Sequence, residues 1–230
     1  MDRQRIFVTG GSGGCGTSTL AVGLARAFAL RGDRVALLDA DLSRPSLDLL
    51  LGQAGAVYHL GDLLSGARTP REVALPVGER LLLVPGRLGG DGGACPSPVS
   101  FLDRIQAELE ADVLLVDTDP QGAALLGPAC DTGILCHSCL GGALSRTAAV
   151  RASLDAMGVK RLRLVLSSYG AGLDLREMID TVGAQLLGAV PREEHKQEVA
   201  YANIAARLSG EVRPLLSGMA CAEDGADPTI

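Results

Sequence analysis

The stretch that most constrains how this chain can fold is Gly10-Gly11-Ser12-Gly13-Gly14-Cys15-Gly16-Thr17-Ser18-Thr19. It follows an apolar, strand-like segment, Ile6–Thr9. It leads into Thr17–Arg31, where Leu20, Leu24, Ala27 and Phe28 recur at helical spacing. A glycine run in that position lets successive backbone N–H groups turn inward around an anion, and the helix start adds partial positive charge. Gly11, Gly16 and Ser18 match the phosphate-loop spacing G-x-x-x-x-G-K-[ST], except that Thr17 stands where the lysine belongs. Ser18 offers a hydroxyl suited to Mg2+, but the ammonium that would reach the β- and γ-phosphates is missing. The competing reading is a glycine-rich turn with no ligand, and the strand–loop–helix setting weighs against it.

The rest of the chain repeats the strand–helix alternation. Arg34–Leu38, Leu81–Val84, Val113–Val116, Gly133–Cys136, Leu162–Leu166 and Leu186–Val190 read as further strands. Pro98–Glu110, Leu144–Met157, Leu173–Val182 and Glu198–Leu208 read as helices. Nearly continuous apolar strands between helices imply an α/β fold, a mostly parallel sheet with helices on both faces. Residues 1–210 are expected to form a single domain and 211–230 a flexible, acidic tail; Gly86–Pro98 reads as a loop. Ligands of such sheets sit at the carboxyl ends of the strands, so motifs at those ends carry the most weight.

Composition sharpens the missing lysine. Of 21 basic residues only Lys160 and Lys196 are lysines, so no lysine precedes residue 160. The net charge of −6 and the absence of a dense arginine run argue against a nucleic-acid footprint. The early residues reach glycine before any long apolar run, so no secretory signal is read, and no apolar stretch is long enough to suggest a transmembrane helix. Six cysteines in such a chain read as cytosolic thiols rather than a disulfide framework.

Two carboxylate stations follow the glycine loop. Asp39 and Asp41 end the second strand, and Asp117, with Asp119 beside it, ends a later one. A carboxylate after a buried strand can hold Mg2+ through water, and another can orient an attacking water. Each alone is weak, since Asp commonly ends strands and caps helices; in the order loop, Asp pair, Asp, they form a joint signal.

With these motifs the chain resembles the MinD/ParA family of deviant Walker A ATPases, closest to bacterial MinD-type proteins and also similar to the CpaE/TadZ branch, over Ile6 to about Leu208. Ser12 through Thr19 occupies the family loop K-G-G-x-G-K-[ST]-[ST]. Asp39-Ala40-Asp41 through Leu47-Asp48-Leu49 and Gly52 falls on its D-x-D…L-D-L-x-x-G stretch. Asp117-Thr118 matches the family's Mg2+-side switch, and Leu186–Pro191 its strand before the purine-side loop. The resemblance implies a P-loop NTPase architecture of the SIMIBI type. It implies ATP or ADP with Mg2+, held by Gly11, Ser12, Gly13, Gly14, Cys15, Gly16, Thr17, Ser18 and Thr19 with Asp39 and Asp117. Ser18 would ligate the metal, Asp117 would hold it through water, and Asp41 would position the attacking water. It also implies protein partners, a homodimer closed over nucleotide, and a cytoplasmic protein that reaches the membrane through those partners.

The chain departs from the family at several points. Ser12 and Thr17 replace both loop lysines, and no cation lies between Arg5 and Arg26 to substitute for them nearby in sequence. Charge-assisted bonds contribute ~1.5–3 kcal/mol each, so binding weakens, and phosphoryl transfer, which is mostly positioning and electrostatics, suffers more. Ser167-Ser168 stands where the family reads the base with Asn, and the chain after Arg192 is short. The tail offers no basic amphipathic membrane helix. The expected function is a nucleotide-binding switch with hydrolysis weak or lost, acting through partners in cell division or intracellular positioning. The alternative is a nucleotide-free pseudo-ATPase scaffold. A third reading, a thiol or zinc protein, would use Cys136 and Cys139, with Cys130 or His137 helping; ordinary packed thiols are favoured over it. His59 and His195 show no partner in the sequence.

Overall fold

Successive residues of the central strands are buried against opposite layers. In β1 (Gln4–Gly10), Phe7 joins one core while Ile6 and Val8 join the other. In β2 (Val35–Asp39), Ala36 and Leu38 face the first core, and Val35 and Leu37 the second. This two-sided burial is why the strands read as continuous apolar runs. The computed structural model describes residues 3–41, 43–86, 97–141, 143–159, 161–170 and 172–216.

The remaining strands are β3 (Leu75–Gly78), β4 (Leu81–Val84), β5 (Val113–Asp117), β6 (Thr132–Ser138), β7 (Leu162–Tyr169) and β8 (Gln185–Pro191), in the order β3-β4-β2-β5-β1-β6-β7-β8. All pairings are parallel except β3 with β4. The helices are α1 (Thr17–Leu30), α2 (Leu47–Leu50), α3 (Leu60–Leu64), α4 (Pro70–Val73), α5 (Pro98–Glu108), α6 (Pro120–Leu126), α7 (Leu144–Ala156), α8 (Leu175–Val182) and α9 (Glu194–Leu208). Leu20, Leu24 and Phe28 of α1 and Ile204 of α9 fill one core; Leu102 and Ile105 of α5, Leu154 of α7 and Met178 of α8 fill the other. The expected parallel sheet with helices on both faces is therefore present.

The sequence pattern overlooks β3 because a four-residue strand containing Pro76 carries no strand signal; it survives as an antiparallel edge, where proline is tolerated. It also overlooks α6, which Asp119 caps by accepting from the Gly122 N–H at 2.7 Å, with Pro120 in the first turn. α9 starts at Glu194 rather than Glu198, almost directly after β8.

Residues 211–216, where the expected tail begins, make contacts with the domain. The Ala189 N–H donates to the Leu215 carbonyl at 3.2 Å, Leu216 forms a parallel bridge with Ala189, and Glu211 pairs with Arg31 at 2.7 Å. Residues 211–216 are thus fastened to β8 and α1, because Leu215 and Leu216 cover apolar surface beside that edge strand. Residues 217–230, and 87–96 of the expected Gly86–Pro98 loop, lie outside the described residues.

Topology gathers the motifs. β1 lies between β5 and β6, and β5 separates it from β2. Val8 is in register with Asp117, and Asp39 with Asp117, so the glycine loop and both carboxylate stations leave the same edge of the sheet side by side.

Candidate functional site

The loop is shaped by local conformations that only glycine adopts easily. Gly14 and Gly16 have φ of 78° and 89°, and Gly16 is the N-terminal cap of α1. No side chain caps α1 and no acid lies in its first turn, so its leading N–H groups are left for another acceptor. Cys15 points inward and is buried. Its carbonyl accepts from Ser167 Oγ at 2.7 Å and from Cys136 Sγ at 3.2 Å, which ties the loop to β7 and β6. Thr17, at the lysine position, places its Oγ1 3.1 Å from Cys15 Sγ. The neighbouring Cys136 thiol, helped by Thr17, lowers Cys15 to about 6 against the opposing effect of burial, while Cys136 itself is pushed well above its ordinary value.

The carboxylates differ in how well they are satisfied. Asp39 is fully buried; its Oδ2 accepts from the Ser46 and Leu47 N–H groups at 2.9 and 3.0 Å, while its Oδ1 has no partner. Burial raises it to about 6 despite those bonds. Asp117 is 1% exposed, its Oδ2 is also unpartnered, and burial raises it to about 7, opposed by a hydrogen bond from Ser18. Asp41 is half-buried, and its Oδ1 accepts from the Ser43 hydroxyl at 2.6 Å and the Arg44 N–H at 3.0 Å. Buried carboxylate oxygens without donors are costly, and a divalent cation is a group that satisfies them. Asp117 and Ser18 fit Mg2+ in that sense. Among the described residues no set of three His, Cys, Asp or Glu could hold a metal alone, so such an ion would need phosphate and water oxygens as well.

Two cavities share the loop. The first, about 610 Å³, is lined by loop residues with Asp41, Arg44, Thr118 and Asp119. The second, about 590 Å³, lies on the other side, between the loop and Ser138, Arg146, Ser167, Ser168, Gln197 and Tyr201. Every residue of the loop run Gly11–Thr19 lines one or both cavities, but Asp39 and Asp117 lie behind them. The expectation that no cation stands near the loop holds only along the chain: Arg44 and Arg146 flank it in space. Asp41-x-Ser43 is an Asx-turn signature, and that turn bends Arg44 back toward the loop; it is the one sequence signal that could have revealed this residue. Gln197 and Tyr201 reach the second cavity because α9 begins so soon after β8.

The cysteine motif does not assemble. Cys136 is packed in the core on the α1 face, whereas Cys139 packs against the opposite core, and Cys130 donates to the Leu126 carbonyl at 3.5 Å. His137 is buried with Nδ1 3.0 Å from Thr147 Oγ1, and burial lowers its pKa. His59 opens α3, its N–H donating to Asp62, and His195 is exposed on α9.

A phosphate-type glycine loop at the carboxyl edge of a parallel sheet, backed by Asp39 and Asp117, defines the P-loop NTPase fold. Residues 2–75 match the ParA family, described as NUBPL iron-transfer P-loop NTPase. The antiactivator FleN of Pseudomonas aeruginosa is 41% identical over 121 residues, half of this chain but 42% of FleN, so the chain spans less than half of that relative. The septum site-determining protein MinD of Bacillus subtilis is 26% identical over 92% of this chain and 91% of its own length. The solved structure of the MinD cell division protein of Aquifex aeolicus superposes with a TM-score of 0.80 at 22% identity, covering 92% of this chain and 99% of that one. The same cell division protein, solved as a MinC:MinD complex, gives the same TM-score. These likenesses support the MinD/ParA family of P-loop NTPases. Among the described residues no helix is long and apolar enough to cross a membrane.

Proposed function

We propose that this chain is a nucleotide-binding switch of the MinD/ParA type. It takes ATP or ADP with Mg2+ on Gly11–Thr19, hydrolyses ATP weakly or not at all, and acts through protein partners in cell division or intracellular positioning. The observation that carries this reading is the uncapped start of α1 facing two buried, incompletely satisfied carboxylates, Asp39 and Asp117. Such a site is costly to maintain without a ligand that brings phosphate and a cation. Loop N–H groups and Ser18 would bind the phosphates and metal, and Asp117 would hold the metal's water. Bound Mg2+ would supply charge neutralisation on the phosphates. Asp41 would orient water, with Ser43 and Arg44 already fixing one of its oxygens.

Weak hydrolysis is supported by Ser12 and Thr17, which leave no lysine in the loop. The partner role is supported by the likeness to MinD, whose structure in Aquifex aeolicus is known in a complex with MinC, and by the likeness to the antiactivator FleN. A homodimer closed over nucleotide, and a cytoplasmic protein brought to the membrane by partners, belong to the same proposal. The second reading, an empty scaffold, is favoured by the same two loop substitutions. Isothermal titration with Mg-ATP and Mg-ADP separates the two: saturable binding with ATP turnover far below one per second supports the switch. No heat at millimolar nucleotide leaves the scaffold.

A further inference from the structure

We propose that Arg44, delivered by the β2–α2 connection, supplies the cation that the loop lacks and binds the terminal phosphate of a nucleoside triphosphate. This rests on the nucleotide reading above and deepens it. Three observations carry it. The guanidinium lies close over the loop: a side chain at Gly13 would begin about 3.0 Å from Arg44 Cζ and 2.8 Å from one of its terminal nitrogens. Arg44 lines the cavity that holds Ser18, Asp41 and Thr118, and not the one that holds Ser167, Gln197 and Tyr201. It is therefore on the side where carboxylates and the Mg2+ hydroxyl meet the far end of a polyphosphate. Its guanidinium forms no ion pair with any described residue, although Asp41 sits three positions away.

The approach is fixed by the backbone rather than by the charged end. The Arg44 N–H donates to Asp41 Oδ1 at 3.0 Å and to the Asp41 carbonyl at 3.2 Å, and Pro45 restricts the residue before it. The side chain is thus pre-aimed while its five donors have no partner among the described residues, and a planar guanidinium matches two phosphate oxygens at once. A terminal phosphate beside Asp41 and Asp119, with Asp39 and Asp117 behind them, needs positive charge beyond one divalent ion. The described lysine, Lys196, is on α9, paired with Glu193 at 3.6 Å, and supplies none there.

The test titrates the full chain and Arg44→Gln, Arg44→Lys and Arg44→Gln/Thr17→Lys with Mg-ATP, Mg-ADP and Mg-tripolyphosphate, with melting curves for each variant. The parent is expected to prefer Mg-ATP to Mg-ADP. Arg44→Gln should weaken Mg-ATP and Mg-tripolyphosphate by about tenfold or more, with little change for Mg-ADP. Arg44→Lys should retain part of the affinity, and the added loop lysine should restore it in the double variant, which a merely structural role for Arg44 could not produce. Unchanged Mg-ATP affinity in a folded Arg44→Gln protein, or equal losses for Mg-ATP and Mg-ADP, overturns the assignment of Arg44 and leaves the nucleotide reading standing. A parent that binds none of the three probes overturns both.

Discussion

The two cavities that share the glycine loop are built differently. The one on the Asp41 side is made of the glycine loop, hydroxyls, Arg44 and the carboxylates Asp41 and Asp119, which follow β2 and β5, strands whose register sets their ends side by side. The one on the Tyr201 side is made of side chains from several elements: hydroxyls of Ser138, Ser167 and Ser168, an amide from Gln197 and a tyrosine ring. Behind the first lie the unpartnered buried oxygens of Asp39 and Asp117. The second accepts a flat, polar-edged body without committing to a hydrogen-bond pattern. If the proposed nucleotide binds, phosphate recognition is expected to be rigid and base recognition loose.

The largest effect should come from Asp117→Asn. With the metal's carboxylate neutralised, nucleotide affinity in Mg2+ should fall about 10- to 100-fold, to the value measured in EDTA, while the ligand-free protein melts at a higher temperature because a buried charge is gone. Retained Mg2+ dependence in this variant would break the rigid half of the contrast.

Next in size is a pH effect on the ligand-free protein. Asp117 and Asp39 are raised to about 7 and about 6 in the fold, above the carboxylate value of 3.8. The folded state then binds protons more tightly than the unfolded chain, so stability is highest below about pH 4 as far as these groups are concerned. It is lost as pH rises to about 7, and the loss is on the order of a few kcal/mol. Denaturant titrations between pH 4 and 8 should show this decline, and Asp117→Asn should flatten its upper part. A stability that rises through that window in the Asp117→Asn comparison would contradict the assigned cause.

A smaller loss is expected from Gly16→Ala. At φ 89° a side chain costs ~1–2 kcal/mol, and the disturbed amides should weaken nucleotide binding with and without Mg2+, unlike Asp117→Asn. The smallest effect concerns the base. Mg-ATP and Mg-GTP should differ in affinity by less than about tenfold, because Ser167 spends its hydroxyl on the Cys15 carbonyl instead of a ligand. A much larger preference for one purine would show that the second cavity is more specific than its hydroxyls suggest.

Most of the sheet was legible in the sequence, since strands buried on both faces are plain apolar runs, α1 announces itself by periodicity and α5 by a proline in its first turn. β3 and α6 were not: each is short, contains proline, and forms through pairing or capping. Within the site, the loop and its carboxylates could be read because phosphate binding places its parts at strand ends in fixed order. Gln197 and Tyr201 could not, since their place depends on where α9 begins.

The sequence by itself determined that the loop carries no lysine and that a parallel sheet would bring the glycine loop and the Asp39 and Asp117 segments to one edge. Only the tertiary structure decided that the loop is not without a nearby cation. Arg44 is distant from Gly13 along the chain and touches it in space, because an Asx turn at Asp41 folds the β2–α2 connection back over the loop. It also decided that Cys136 serves the loop and not Cys139, because Cys136 points from β6 into the core on the α1 face whereas Cys139, past the end of that strand, packs against the opposite core.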